Sequence, residues 1–242
     1  MLSRNLKFLK VLTVASPRFV ETPHMEKNLA ILMADLTGYT AMTDAHGGAS
    51  AARIVNKYMQ LVDNALHGSS RAVQRIGDQV VLIADNADDM VITAQKLNSL
   101  TLEEHHFLSI HAGLHYGPIF IENDNLFGST VNVAARIMNL ASRGQVLCSS
   151  QFKTMLTDPT KFKSVGSYSL KNLMTEFELH ELLQDQQSNS SNIDPVCHMH
   201  IDVSKSEFTY TISGVVYHFC SDYCLSLFKE SPGSFIRLEK DL

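Results

Sequence analysis

No apolar run in this chain approaches the ~18 residues that a membrane-crossing helix needs. Its 20 Lys and Arg residues never gather into a tract that would grip a polynucleotide, and 25 Asp and Glu residues leave a formal net charge of −5. Neither a membrane span nor a nucleic-acid partner is therefore expected. Cysteine is scarce, with four residues in all: Cys148 stands alone, and Cys197, Cys220 and Cys224 lie near the far end. No secretory leader is evident. Residues 1–25, read as an N-terminal extension, interleave Arg4, Lys7, Lys10 and Arg18 with Leu and Val and offer no small-residue cleavage site. Free thiols in a cytoplasmic protein are thus expected rather than a disulfide framework. There is no internal repeat. What is present suits a folded protein: 45% of the 242 residues are apolar and 19% charged, enough for one large core or two modest ones.

The run Leu29-Ala-Ile-Leu-Met-Ala-Asp35 reads as a buried central strand that ends on a carboxylate. Thr37-Gly-Tyr-Thr40 follows as a turn. Ile54, Val55, Tyr58, Met59, Val62 and Leu66 then repeat at helical spacing, predicting a helix from about Ser50. Arg71–Ile76 and Gln79–Ala84 flank Gly77-Asp78 as a tight hairpin. Further on, helices are expected over 88–100 and 130–141, and strands over 107–116, 118–122 and 145–148, with a closing strand pair within 168–183. This β-α-β-β-α-β order with strands added is an α/β (α+β) ferredoxin-like sandwich. Residues 184–193 are polar and read as a linker. Beyond it, 194–238 is too short for a large core, so a metal staple is a reasonable expectation.

Two carboxylates at neighbouring strand ends, Asp35 and Asp78, can hold divalent cations through oxygen. Taken singly, either is an ordinary turn residue. Free N–H groups in the Thr37, Gly38, Tyr39, Thr40 loop would suit a triphosphate. Asn132 and Arg136, four apart on one predicted helix, present an amide and a guanidinium on a common face, a fitting set for a sugar and a phosphate or simply a solvated surface.

In combination, Leu32-Met-Ala-Asp-Leu-Thr-Gly-Tyr-Thr40, Arg75-Ile-Gly-Asp78, His111-Ala-Gly-Leu-His-Tyr-Gly-Pro118 and Phe127-Gly-Ser-Thr-Val-Asn-Val-Ala-Ala-Arg136 resemble the class III adenylyl/guanylyl cyclase catalytic domain over 26–183. The resemblance implies a nucleotidyl cyclase acting on a nucleoside triphosphate. Asp35 and Asp78 would hold two Mg²⁺ or Mn²⁺ ions, Asn132 would orient the ribose, Arg136 would stabilise charge on the α-phosphate, and Lys171 would grip the phosphates. Asn172 stands where the family usually has Gly, so Lys171 departs somewhat from the pattern. Family sites form between two domains, one supplying the aspartates and the other the Asn, Arg and Lys. This chain carries both sets, so a homodimer with two equivalent sites follows. The base-reading positions fall on Gln74 and Asn125, which match neither the Lys/Asp pair usual for adenine nor the Glu/Cys pair usual for guanine. Since an amide both donates and accepts, base choice stays open, with ATP the commonest substrate in the family.

Asp194-Pro-Val-Cys-His-Met199 and Tyr217-His-Phe-Cys-Ser-Asp-Tyr-Cys224 give the spacing C-x22-C-x3-C. Three thiolates suit Zn²⁺ or Cu⁺, although a buried free thiol is often only a core residue. His198, His200, His218 and solvent are candidates for a fourth ligand. These residues resemble a YHS domain, a small module of metal-handling proteins, with His198 where that family commonly has Gly.

Overall fold

A computed structural model describes residues 26–123, 125–171, 175–183 and 191–236. The N-terminal extension and most of the polar linker lie outside the described residues. The chain runs β1 (Glu26–Leu36), α1 (Tyr39–Ala65), β2 (Arg71–Ile76), β3 (Gln79–Ala84), α2 (Ala87–Glu103), β4 (Ile110–Glu122), β5 (Asn125–Phe127), α3 (Ser129–Leu140), β6 (Val146–Ser149), α4 (Ser150–Lys153), β7 (Phe162–Ser169) and β8 (Glu176–Leu182). There follow β9 (Ser191–Ile193), β10 (His200–Asp202), β11 (Phe208–Ile212), β12 (Val215–Phe219) and α5 (Asp222–Glu230).

The main sheet has the order β2-β3-β1-β4-β6-β8-β7, with β5 paired to β4. Strand β1 is central and apolar on both faces. Its Ala30, Leu32, Ala34 and Leu36 join a core with Tyr58, Leu61 and Val62 of α1 and Met90, Val91 and Leu97 of α2. Leu29, Ile31 and Met33 face the other way, onto Ala134 and Met138 of α3. That two-sided burial explains the unbroken apolar run. Helix α3 lies directly on β4 because of Gly113: a Cβ there would stand 2.3 Å from the Met138 nitrogen and 2.5 Å from the Ala134 oxygen.

Several elements differ from expectation, and the closing strand pair expected within 168–183 begins earlier, with β7 at Phe162. Helix α1 begins at Tyr39 rather than near Ser50, and breaks at Gly47 (φ 74, ψ 169). The polar residues around that break hid the first segment, which Met42 anchors in the core. The strands expected at 107–116 and 118–122 are one, β4. Its pairing with β6 covers Ala112–Leu114 and its pairing with β5 covers Phe120–Glu122, so Pro118 falls in the gap on that edge, where a missing N–H does no harm. Ser191–Ile193, in the segment read as linker, pairs with His200–Asp202 as a small ladder.

The C-terminal module shares a core with the sheet domain. Val196, Cys197, Met199, Phe219, Leu225 and Phe228 belong to the same buried cluster as Met42, Tyr58 and Phe107. Phe228 is packed by Tyr217 and Phe219 at ring separations of 5.1 and 5.0 Å. Polar ties cross the seam as well. The His200 amide donates to the Phe107 carbonyl at 2.8 Å. His200 Nε2 shares a 2.6 Å hydrogen bond with Ser109 Oγ. Arg143 Nη1 donates to the His198 carbonyl at 2.9 Å.

Candidate active site

Antiparallel pairing of β1 with β3 sets Ala34 opposite Val80, which carries the β2–β3 turn alongside the end of β1. Asp35, next to last in β1, and Asp78, in that turn, are thereby brought into hydrogen-bonding contact, and each also meets the Leu36 backbone. Asp35 Oδ1 is buried without a hydrogen-bond partner among the described residues. Burial raises the Asp35 carboxyl, an effect that the contact with Asp78 partly offsets. Asp78 is pushed from its ordinary 3.8 to about 6, first by burial and then by the charge on Asp35. The buried Tyr58 phenol, whose hydroxyl has no partner among the described residues, is pushed up by burial and by both carboxylates. Two carboxyl groups in contact, one with an unused buried oxygen and the other raised by burial and by its neighbour's charge, are a donor set fitted to a hard divalent cation.

Thr37 and Gly38 form the entry to α1. The Thr37 amide donates to the Ser109 carbonyl at 2.8 Å, and Thr37 Oγ1 shares a 2.9 Å hydrogen bond with His111 Nδ1. Gly38 is left-handed (φ 91), a conformation that carries the chain straight from strand into helix. The first helical amide bond runs from Met42 to the Gly38 carbonyl, so the N–H groups of Tyr39, Thr40 and Ala41 have no acceptor inside the helix. These amides and the helix N-terminus favour an anion. His111 gained no role from sequence reasoning. The strand register reveals it: His111 pairs with Asp35. Burial lowers its pKa against the opposing pull of Asp78, which favours the neutral ring.

Asn132 and Arg136 sit one turn apart on the open side of α3, with Arg136 Nη1 donating to the Asn132 carbonyl at 3.3 Å. Among the described residues neither is bonded or ion-paired to Asp35 or Asp78. Gln74 of β2 and Asn125 of β5, 51 residues apart, meet side chain to side chain: Gln74 Nε2 donates to Asn125 Oδ1 at 3.4 Å. Lys171 is exposed in the turn after Leu170, next to residues outside the described ones.

The three C-terminal cysteines converge and are unbridged. Cys220 Sγ lies 3.5 Å from Cys197 Sγ and 3.6 Å from Cys224 Sγ. Hydrogen bonds to Cys220 and Cys224 push the Cys197 thiol strongly up, while hydrogen bonds from Cys197 and Cys220 bring Cys224 down to about 5. The histidine beside them is none of the three expected. His198 is held by Arg143, His200 is bonded to Ser109, and neither they nor His218 belongs to the cluster. The fourth group is His46 of α1, whose place near these cysteines rests on the contact between the two modules and so left no mark in their spacing.

Residues 21–184 match the adenylate and guanylate cyclase catalytic domain, and residues 192–238 match the YHS domain. The chain belongs to the class III adenylate and guanylate cyclase family. Within that class it is a cyclase domain carrying a C-terminal YHS domain. It is 32% identical over 152 residues to an uncharacterised protein of Mycobacterium tuberculosis (strain H37Rv), covering 61% of this chain and 40% of that one. It is 26% identical over 129 residues to an adenylate cyclase of Streptomyces coelicolor, covering 53% of this chain and 34% of that one. The chain thus spans about 40% or less of the length of these curated relatives. Among solved structures, the catalytic core of a rhodopsin-guanylyl cyclase with converted specificity, in complex with ATPαS, superposes with a TM-score of 0.60 at 19% identity, covering 68% of this chain and all of that one. The adenylyl cyclase CyaB of Pseudomonas aeruginosa superposes with a TM-score of 0.59 at 15% identity, covering 69% of this chain and 98% of that one. These likenesses show the cyclase fold. No helix among the described residues is long and apolar enough to cross a membrane.

Proposed function

We propose that this chain is an active nucleotidyl cyclase that converts a nucleoside triphosphate, ATP in the first instance, to a 3′,5′-cyclic nucleotide and pyrophosphate within a cytoplasmic homodimer. The observation that carries this reading is the Asp35–Asp78 pair with its unpartnered buried oxygen. Two Mg²⁺ or Mn²⁺ ions held by those carboxylates would supply Lewis-acid stabilisation of the 3′-oxygen and of triphosphate charge. The free amides of Tyr39, Thr40 and Ala41 receive the β- and γ-phosphates. Across a two-fold axis, the partner copy offers its exposed α3 face, where the amide four residues before the guanidinium aligns the ribose and the guanidinium meets charge growing on the α-phosphate. Lys171 adds a second cation. The 3′-hydroxyl gives its proton to solvent as its oxygen attacks the α-phosphorus in line, the bond to the bridging oxygen breaks, and pyrophosphate carries away the charge.

The names of the Streptomyces relative and of several others favour ATP. The Gln74–Asn125 contact keeps GTP as a second substrate to test, since each amide can turn to offer either a donor or an acceptor to a purine edge. The experiment is turnover of ATP, GTP, CTP and UTP with Mg²⁺ or Mn²⁺. Cyclic product from at least one of them, lost in Asp35→Ala, is expected. No product from any of the four by a folded dimer would overturn the proposal and leave a nucleotide-binding protein.

A further inference from the structure

The histidine beside the cysteine cluster comes from the cyclase domain. His46 Nε2 lies 3.4 Å from Cys220 Sγ and 3.5 Å from Cys224 Sγ. Together with the sulfur–sulfur separations of 3.5 and 3.6 Å, these contacts outline a compact polyhedron whose four ligand atoms all lie within 4.8 Å of one another. A tetrahedral zinc ion with bonds of ~2.3 Å to sulfur and ~2.0 Å to nitrogen requires edges of ~3.8 Å between sulfurs and ~3.5 Å from sulfur to nitrogen. Four of the six edges therefore stand within a few tenths of an ångström of those of a finished coordination shell, and the other two are no longer than 4.8 Å.

We propose that His46 completes a Cys₃His zinc site with Cys197, Cys220 and Cys224, so that a single Zn²⁺ bolts the YHS domain onto the helical segment that opens at the Thr37–Thr40 loop.

Several features beyond the distances support zinc. The set contains sulfur and imidazole and no oxygen, which selects against Mg²⁺ and Ca²⁺, and four protein ligands suit a closed structural Zn²⁺ site. The loops bearing the thiols are prepositioned by a carboxylate behind them. Asp194 is fully buried, its Oδ1 accepts from the amides of Val196 and Cys197, and its Oδ2 accepts from the amide of Cys220. Such support is the usual companion of a metal centre. Cys224 lies in the first turn of α5, where Ser221 caps the helix and the N-terminal dipole favours a thiolate. Two of the four ligand residues border open space: His46 lines a cavity of about 400 Å³, and Cys220 lines another of about 370 Å³.

The consequence lies in where His46 stands on α1. It is the last residue before the break at Gly47, so Tyr39 to His46 form a separate helical segment ~12 Å long. The opposite end of that segment is Gly38, and the YHS domain presses on it as well: a Cβ added to Gly38 would lie 2.5 Å from His198 Cβ. Arg143 fixes His198 there, its Nη1 on the carbonyl at 2.9 Å and its Nη2 at 2.8 Å from Nδ1. The second module thus holds both ends of the segment, one by packing and one through the ion. Zinc occupancy then sets how rigidly the loop beside Asp35 is held. On the cyclase reading above, that makes the site a regulator of turnover.

The test uses the full chain and Co²⁺ as a spectroscopic stand-in for Zn²⁺. The wild type is expected to bind one Co²⁺ with the intense visible bands and thiolate charge transfer of a tetrahedral sulfur–nitrogen site, and to yield it to Zn²⁺. The Asp35–Asp78 oxygens would give only weak bands. His46→Ala should lose the tetrahedral intensity and bind more than ~100-fold more weakly, since even residues behind a ligand are worth 10–100-fold. His46→Cys should recover tight binding with a sulfur-richer spectrum, and His218→Ala should bind as the wild type does. Zn²⁺ should slow amide hydrogen exchange over residues 39–46 in the wild type and not in His46→Ala. Unchanged affinity and spectrum in His46→Ala, or exchange over 39–46 indifferent to Zn²⁺ in the wild type, would overturn the proposal. Because none of these readouts needs nucleotide turnover, a protein that binds zinc through His46 but makes no cyclic nucleotide would refute the cyclase reading alone.

Discussion

Replacing Asp78 by asparagine is expected to make the protein more stable without divalent cations and to remove its activity. In the absence of a cation, Asp35 and Asp78 hold two acidic groups in contact, partly out of water. The rise of Asp78 from 3.8 to about 6 corresponds to ~3 kcal/mol at full strength. Partial exposure of the carboxylate screens this to ~1.5 kcal/mol. The sign follows from proton counting. Folding raises the pKa, so between 3.8 and about 6 the folded state binds more protons than the unfolded state. Wild-type stability therefore falls as pH rises through that window, and the penalty is complete above it. An asparagine carries no such penalty. Thermal unfolding in buffer free of Mg²⁺ and Mn²⁺ should place Asp78→Asn ~3–6 °C above the wild type at neutral pH. The gap should shrink by about half near pH 5 and vanish below the unfolded value. Saturating Mn²⁺ should reverse the order, because only the wild type retains both carboxylates. A variant no more stable than the wild type at neutral pH without cations, or a gap indifferent to pH, would refute this account of the site.

Mixing two inactive chains, Asp78→Asn and Arg136→Ala, should restore about a quarter of wild-type activity, since half of the dimers are mixed and each has one intact site of two. No recovery after subunit exchange would count against a shared site. Gly38→Ala should lower turnover at least several-fold and destabilise the fold by ~1–2 kcal/mol, because the backbone is left-handed there and the new Cβ meets His198. A wild-type unfolding curve for this variant would show that the contact carries no weight.

Where side chains repeat at the period of a strand or helix, the sequence was enough. The two-faced strand carrying Asp35, the hairpin at Gly77-Asp78 and the helix bearing Asn132 and Arg136 all stand where their patterns predict. The motifs that resemble the cyclase and YHS families are matched over the expected stretches. What stayed hidden depends on contacts between distant segments. Gln74 and Asn125 could be singled out by position but not seen to touch. His111 becomes a neighbour of the carboxylates only through the β1–β4 register. The start of α1 was masked by Gly47 and the polar residues around it, which interrupt an apolar period that a tertiary anchor, Met42, restores. His46 was invisible for the same reason, since its partners lie more than 150 residues away and nothing in local spacing links them.

The shared core also decides whether the YHS domain is an appendage or part of the cyclase's own structure. Phe107, Met42 and Tyr58 of the sheet domain are almost wholly buried, and they belong to one cluster with Met199, Phe219, Leu225 and Phe228. Ending the chain after Leu183 would uncover part of this surface at ~1.5–3 kcal/mol for each large side chain left facing water. The same cut would strip the Phe107 carbonyl and the Ser109 hydroxyl of the hydrogen bonds they make with His200. A few such losses match the 5–15 kcal/mol that holds a typical domain together. The full chain should therefore unfold in a single transition by calorimetry, and a chain truncated after Leu183 should be insoluble or melt well below it. Two resolved transitions, with a truncated chain that keeps the melting temperature of the upper one, would show instead that the cyclase domain stands alone and that the contact with its neighbour is loose.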